Sequence, residues 1–190
     1  MNLDSLTHSQ WDTTQTISLA PPDSIMSEKD SIIFKLTPYF FGNKPVIMKN
    51  QKTVISFLYE NKWKRPVYFA STVSPKNLLG LQDYLSMTGI VFFLTPIKNA
   101  PVDAEKLEKN LLMVYKYRNI NNPGVPIEKP FLRIFNNYRN GFIRLIRHYI
   151  DHGDKNRAKD VLSFMEKHIP SWRYSEEENR FIKDIQNVLY

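Results

Sequence analysis

The apolar residues of this chain change their spacing partway along it. In IIFKL, residues 32–36, they alternate with other residues. From residue 131 onward they recur three and four apart. A turn-rich connector, NINNPGVPIEKP, precedes the second regime. Alternation places side chains on one face of a strand, and the longer spacing places them on one face of a helix. No single layer of secondary structure satisfies both patterns. The chain therefore reads as an α/β domain followed by a helical segment.

The pattern divides the chain into three parts. Residues 1–30 are rich in Ser, Thr, Asp and Pro, with few large apolar groups, and are expected to form a linker or loosely held arm. Residues 31–122 form the expected α/β domain, and residues 123–190 the helical segment. Twelve Phe, ten Tyr and three Trp supply ample material for a core.

Within the α/β part, Ile32 to Leu36 is a predicted strand, and Gly42-Asn43-Lys44-Pro45 a turn. A helix is expected from Thr53, with Val54, Phe57 and Leu58 on one face. It should end near Trp63, because Pro66 biases Arg65 away from helical angles. A short strand follows at Val67 to Ser71. Ser74 and Pro75 read as a cap and first helical position, opening a helix with Leu78, Leu81, Leu85 and Thr88 on one face. Gly89 should stop that helix, and the wholly apolar IVFFL should be a strand buried on both faces. Strand, helix and strand together predict a βαβ unit in a small mixed or parallel sheet. The next helix, in residues 99–118, carries Asp103 and Glu105 near its start and Lys116 and Arg118 near its end, a complement to the helix dipole.

In the helical part, one long helix should place Phe131, Ile134, Phe142, Leu145 and Tyr149 around one face. A second turns Ala158, Val161, Leu162 and Met165 inward. The short Gly153-Asp154 turn makes the two antiparallel neighbours. Ser175 and the acidic residues after it should cap a final helix. Phe142, Tyr149, Gly153, Ala158 and Pro170 match a tetratricopeptide pattern in part, with Ile146 where that pattern wants a small residue. One such unit more often buttresses a domain than forms a binding groove.

Charge and composition narrow the function. The net charge is +7, from 26 Lys and Arg against 19 Asp and Glu. It reads as thinly spread, so nucleic acid is not an expected partner. With no cysteine, thiolate metal sites and cysteine nucleophiles are excluded. His148 and His152 share a helix face but lack a third ligand, and read as a helix-end pair. No nucleophile elbow, phosphate loop or dinucleotide fingerprint is present, so neither enzymatic activity nor a metal or cofactor is expected. No basic start and apolar run opens the chain, and no stretch approaches the ~20 apolar residues that cross a bilayer. As a polypeptide it is expected to be soluble.

One stretch stands out. NKWKRPVYFASTVSPKNLLGLQDYL, residues 61–85, interleaves cations with aromatics. Trp63 and Tyr68 could form a platform for a sugar or lipid head, with Arg65 holding an anion. Alternatively, Trp63 closes the preceding helix against the sheet, and Tyr68 or Phe69 enters the core according to register. Closure of the fold is the favoured reading, because aromatics dominate core energetics.

The same stretch carries a family resemblance. Asn61, Trp63, Lys64, Arg65, Pro66, Val67, Tyr68 and Phe69, then Gly80-Leu81, Asp83-Tyr84, Gly89 and Pro96, resemble a pattern in the C-terminal region of a bacterial family of polytopic membrane proteins. That family is related to the vertebrate transmembrane protein O-mannosyltransferases. The resemblance covers about residues 31 to 190, including the closing hairpin. It implies a glycosyltransferase-like parent whose catalytic carboxylate lies in a membrane part, outside this chain. It implies a non-catalytic periplasmic domain, as a fragment or separate copy, that helps hold an acceptor or position the membrane core. Its implied partners are the transmembrane portion and a protein or glycan acceptor. The ligand-facing candidates are Trp63, Arg65, Tyr68, Asp83 and Tyr84. The alternative is a stand-alone interaction module, which requires an exposed apolar face around Phe142, Leu145 and Met165.

Overall fold

A computed structural model describes residues 15–19, 31–99 and 102–190. These fall into two compact units. The first holds 15–19, 31–86 and 93–99, and the second holds 87–92 and 102–190.

The first unit begins with strand β1, Gln15–Leu19, which pairs antiparallel with β2, Ile32–Leu36. Part of the expected linker is thus a strand. TISL alternates polar and apolar residues, and Ile17 and Leu19 are buried in the same core as Ile32, Phe34 and Leu36. The rest of that expected arm lies outside the described residues. A hairpin follows, β3 (Tyr39–Phe41) and β4 (Lys44–Val46), around Gly42 and Asn43. Gly42 has φ +60°, which glycine adopts without penalty. The turn is therefore two residues long, and Lys44 and Pro45 belong to the strand.

Helix α1 spans Lys49–Asn61. It starts four residues before the expected Thr53, whose hydroxyl instead donates to the Lys49 carbonyl within the helix at 2.9 Å. The Gln51 side chain accepts from the Met48 amide at 2.9 Å and takes the place of a polar cap. Ile55 and Leu58 face the core, while Phe57 is exposed.

Strands β5 (Tyr68–Ala70), β6 (Leu85–Met87) and β7 (Val91–Leu94) form a sheet in the order β5-β7-β6. The expected α-helical crossover does not form. Residues 75–84 make two separate 3₁₀ turns, Pro75–Leu78 and Gln82–Tyr84. Leu79 and Gly80 both take positive φ, 58° and 87°, which ends the helical path after one turn. Leu85 then starts a strand instead of a third helical turn. The Thr88 amide donates to Val91 O at 3.1 Å and the Thr95 amide to Tyr84 O at 2.9 Å, the register of an antiparallel hairpin. The Leu94 amide donates to Val67 O at 2.9 Å, with the Tyr68 and Phe93 rings 5.4 Å apart, so β5 also runs antiparallel to β7. Of the apolar run in β7, only Leu94 is fully buried, because this small sheet is not covered on both faces.

In the second unit, α2 (Ala104–Lys109) is capped by Asp103, whose carboxylate accepts from the Lys106 amide at 3.1 Å. A π-helical turn, Asn110–Val114, closes it. Lys116 and Arg118 therefore lie beyond the helix, although the Lys116 ammonium still donates to Met113 O at 3.2 Å. The widened turn is tied to residues 87–92: the Asn110 amide group donates to Thr88 O at 2.5 Å, and Tyr115 Oη accepts from the Ile90 amide at 3.3 Å.

Helices α3 (Lys129–Asp151) and α4 (Lys155–His168) form the expected antiparallel hairpin, with Gly153 at φ +80° and Asp154 capping α4 through the Arg157 amide. Helix α5 spans Arg180–Leu189. Ser175 and Glu178 do form reciprocal capping bonds, but on a turn ahead of α5 rather than in its first turn. Phe142, Leu145, Ile146, Val161, Met165, Ile182 and Ile185 build the core. Phe131 and Ile134, expected on the buried face of α3, are exposed because they precede the stretch that α4 covers. Arg139 is 3% exposed; its guanidinium carbon sits 3.9 Å from the Tyr174 ring centroid, and Nη2 donates to Asn179 Oδ1 at 2.6 Å. Burial draws its pKa below the usual value, and Tyr174 is pushed up to about 12 mainly by its own burial.

Candidate functional site

The 61–85 stretch is distributed over the first unit in a way that explains its composition. Asn61 ends α1, and its side-chain amide donates to Arg65 O at 2.8 Å while its carbonyl accepts from the Lys64 amide at 2.8 Å. Lys62 and Trp63 take the left-handed conformation inside this loop. Trp63 is half-buried and packs on the first unit's core with Val67 and Phe69. Phe69 thus turns inward and Tyr68 stays outward, 52% exposed. Arg65 is exposed. Asp83 pairs with Lys98 at 3.5 Å on the surface, and its carbonyl accepts from the Asn99 amide at 2.6 Å.

Tyr84 is buried, and its hydroxyl both accepts from the Ile33 amide and donates to the Ile33 carbonyl, each at 3.2 Å. Among the described residues, strand β2 has a strand neighbour on one side only. Tyr84 pairs backbone groups on its other edge. Gly80 approaches the same strand: a Cβ there would stand 2.5 Å from Lys35 O. The GLQDY segment closes the open edge of β2 through one hydroxyl and one glycine, which is why a bulkier or less polar set would not fit.

A cleft of about 340 Å³ lies beside that closure, lined by Lys35, Pro38, Tyr39, Gln51, Lys76 and Gln82 among others. Its size falls in the range of small-ligand sites. Among the described residues, the charged ones lining it are Lys35 and Lys76, with no carboxylate. Gln51 brings the first turn of α1 to the wall, and that turn carries Lys49 and Lys52 with no acidic residue. Cations at a helix N-terminus oppose the dipole, so this turn adds positive potential where stability favours negative charge. The Gln82 side chain donates to Pro75 O at 2.9 Å and braces one side.

None of Trp63, Arg65, Tyr68, Asp83 and Tyr84 lines this cleft. The signal that points to it is regional charge. Residues 31–99 hold nine Lys and Arg against two Asp and Glu, a net +7, the value for the whole chain. The charge is therefore concentrated in this region, not thinly spread as the overall count suggests.

Among the described residues no group of three or more His, Asp and Glu could hold a metal ion, and no helix is long and apolar enough to cross a membrane. No curated protein and no solved structure matches the chain. Residues 18–111, which include the cleft and the whole 61–85 stretch, match the family model described as TMEM260-associated domain 2, a domain of a membrane-protein family.

Proposed function

We propose that this chain is a non-catalytic accessory domain of a glycosyltransferase-like membrane protein. It works on the extracytoplasmic side, where it holds an acceptor or positions the membrane core. The match of residues 18–111 to a domain associated with a membrane-protein family supports this reading. The 61–85 stretch supports it too, because the residues that carry the likeness to O-mannosyltransferase-like proteins build this domain's fold. The hairpin of α3 and α4 serves, in this reading, as a tetratricopeptide-like buttress.

The burial pattern removes the stand-alone interaction module. Phe142, Leu145 and Met165, the face it needs, are fully buried in the core of the second unit.

The test is fractionation of cells that express the chain from its own gene, with an antibody to residues 129–190. The reading expects recovery with the membrane fraction, together with a polytopic partner or as part of one. Recovery of the whole population free of membranes contradicts it.

A further inference from the structure

We infer that the cleft lined by Lys35 and Lys76 is a binding site for a phosphate-bearing anion. The inference stands on the chemistry of the cleft and holds whether or not the chain works beside a membrane partner.

Three observations converge on it. Among the described residues, the charged residues lining the cleft are Lys35 and Lys76, and no acid lines it with them. A lysine ammonium is a compact point charge with three rotatable donors, which suits a tetrahedral phosphoryl group. Arginine makes planar, two-point contacts with carboxylate and phosphate alike, whereas lysine binds phosphate as a point charge. The first turn of α1 reaches the cleft through Gln51; the Gln51 amide donates to Asn50 Oδ1, so the helix contributes the positive end of its dipole rather than a free donor. Lys49 and Lys52 on that turn cost helix stability, and a bound anion would offset the cost. Finally, polar side chains line the cleft next to the lysines, with Gln51 and Gln82 held in place by their bonds to the Met48 amide and Pro75 O.

The phosphate could belong to a lipid headgroup at a bilayer surface or to a free phosphorylated metabolite. The site's chemistry is the same for both. The Lys35 and Lys76 side chains are solvent-accessible, so both can be replaced without leaving a buried gap.

The experiment uses the full chain and two double variants. One is Lys35→Gln with Lys76→Gln, in the cleft. The other is Lys62→Gln with Lys64→Gln, which removes the same charge from the same unit outside the cleft. Inorganic pyrophosphate is titrated calorimetrically, and phosphatidylcholine vesicles containing phosphatidic acid are tested by co-sedimentation. The cleft variant should lose about tenfold or more in affinity for whichever probe binds, and the outside variant should change by less than about threefold. Binding of pyrophosphate alone identifies a free phosphate source; binding of the vesicles identifies a lipid source. Equal losses in the two variants would mean diffuse attraction by a basic surface, as for nucleic acid, and would overturn the site. Failure of both probes to bind the unaltered chain would overturn it equally.

Discussion

The Tyr84 hydroxyl stands 3.2 Å from both the amide nitrogen and the carbonyl oxygen of Ile33, and so pairs two backbone groups on the strand edge that β1 leaves open. Replacing Tyr84 by Phe keeps the ring and leaves both groups without a partner. The expected loss is about 1–3 kcal/mol in the first unit's stability, read by urea denaturation. Hydrogen exchange at the Ile33 amide should quicken in the same variant. An unchanged midpoint would mean that the edge is closed by other contacts.

Gly80 gives an independent check on the same closure. Its φ is +87°, and a methyl group in place of its hydrogen would stand 2.5 Å from Lys35 O, so alanine does not fit without movement. Gly80→Ala should destabilise by at least about 1–3 kcal/mol, from backbone strain alone. A stability equal to that of the unaltered chain would show that the loop moves freely away from β2.

Much of the fold is legible in the sequence because periodicity reports burial. The strand at Ile32–Leu36, the α3 and α4 hairpin and the inward set of α4 follow directly from spacing. What is not legible depends on single backbone conformations. Leu78, Leu81 and Leu85 have helical spacing, yet Leu79 and Gly80 turn left-handed and convert the expected helix into two short turns and a strand. The crossover then cannot form, and the sheet becomes antiparallel. The cleft is also hidden from local reading. Lys35, Gln51 and Lys76 are far apart in sequence and meet only once the loop 75–82 is folded back. Their regional charge is countable, but an overall count conceals it because residues 1–30 carry five acidic groups and one basic group.

The buried face of the helical hairpin makes a contrasting pair of predictions. Phe142 is fully buried and packs near Tyr117 and Phe164, with ring centroids 5.9 and 6.0 Å away. Phe142→Ala should cost about 3–5 kcal/mol. Phe181, on the outer side of α5, is exposed with the Arg147 guanidinium 5.7 Å from its ring, and Phe181→Ser should cost no more than about 1 kcal/mol. Thermal or urea unfolding distinguishes the two. Equal effects would contradict the burial pattern of the second unit.

Histidine gives the second unit a pH dependence of definite sign. Burial, with Lys167 adding to it, holds His168 below its usual 6.5, and burial with His152 does the same for His148. A depressed histidine stays neutral in the folded state while the unfolded chain takes up a proton. The unfolded state therefore binds more protons below 6.5, and stability falls as pH drops from there toward the folded values. Above that value the two groups contribute no slope. Urea midpoints measured across this range should decline on the acid side, and the decline should be shallower in His168→Gln. A decline of the same steepness in the variant would assign it to other groups.

The 61–85 stretch builds the domain, and the proposed ligand contact falls in the cationic cleft that its 75–82 segment helps to line, away from Trp63, Arg65 and Tyr68. The most direct measurement is a ¹⁵N–¹H correlation spectrum of the chain during titration with pyrophosphate. Shifts centred on Lys35, Gln51, Lys76, Gly80 and Gln82, with Trp63, Arg65 and Tyr68 still, are the predicted result. Shifts centred on Trp63, Arg65 and Tyr68, with the cleft amides unmoved, would contradict it and return the aromatic and basic stretch to the role of a binding platform.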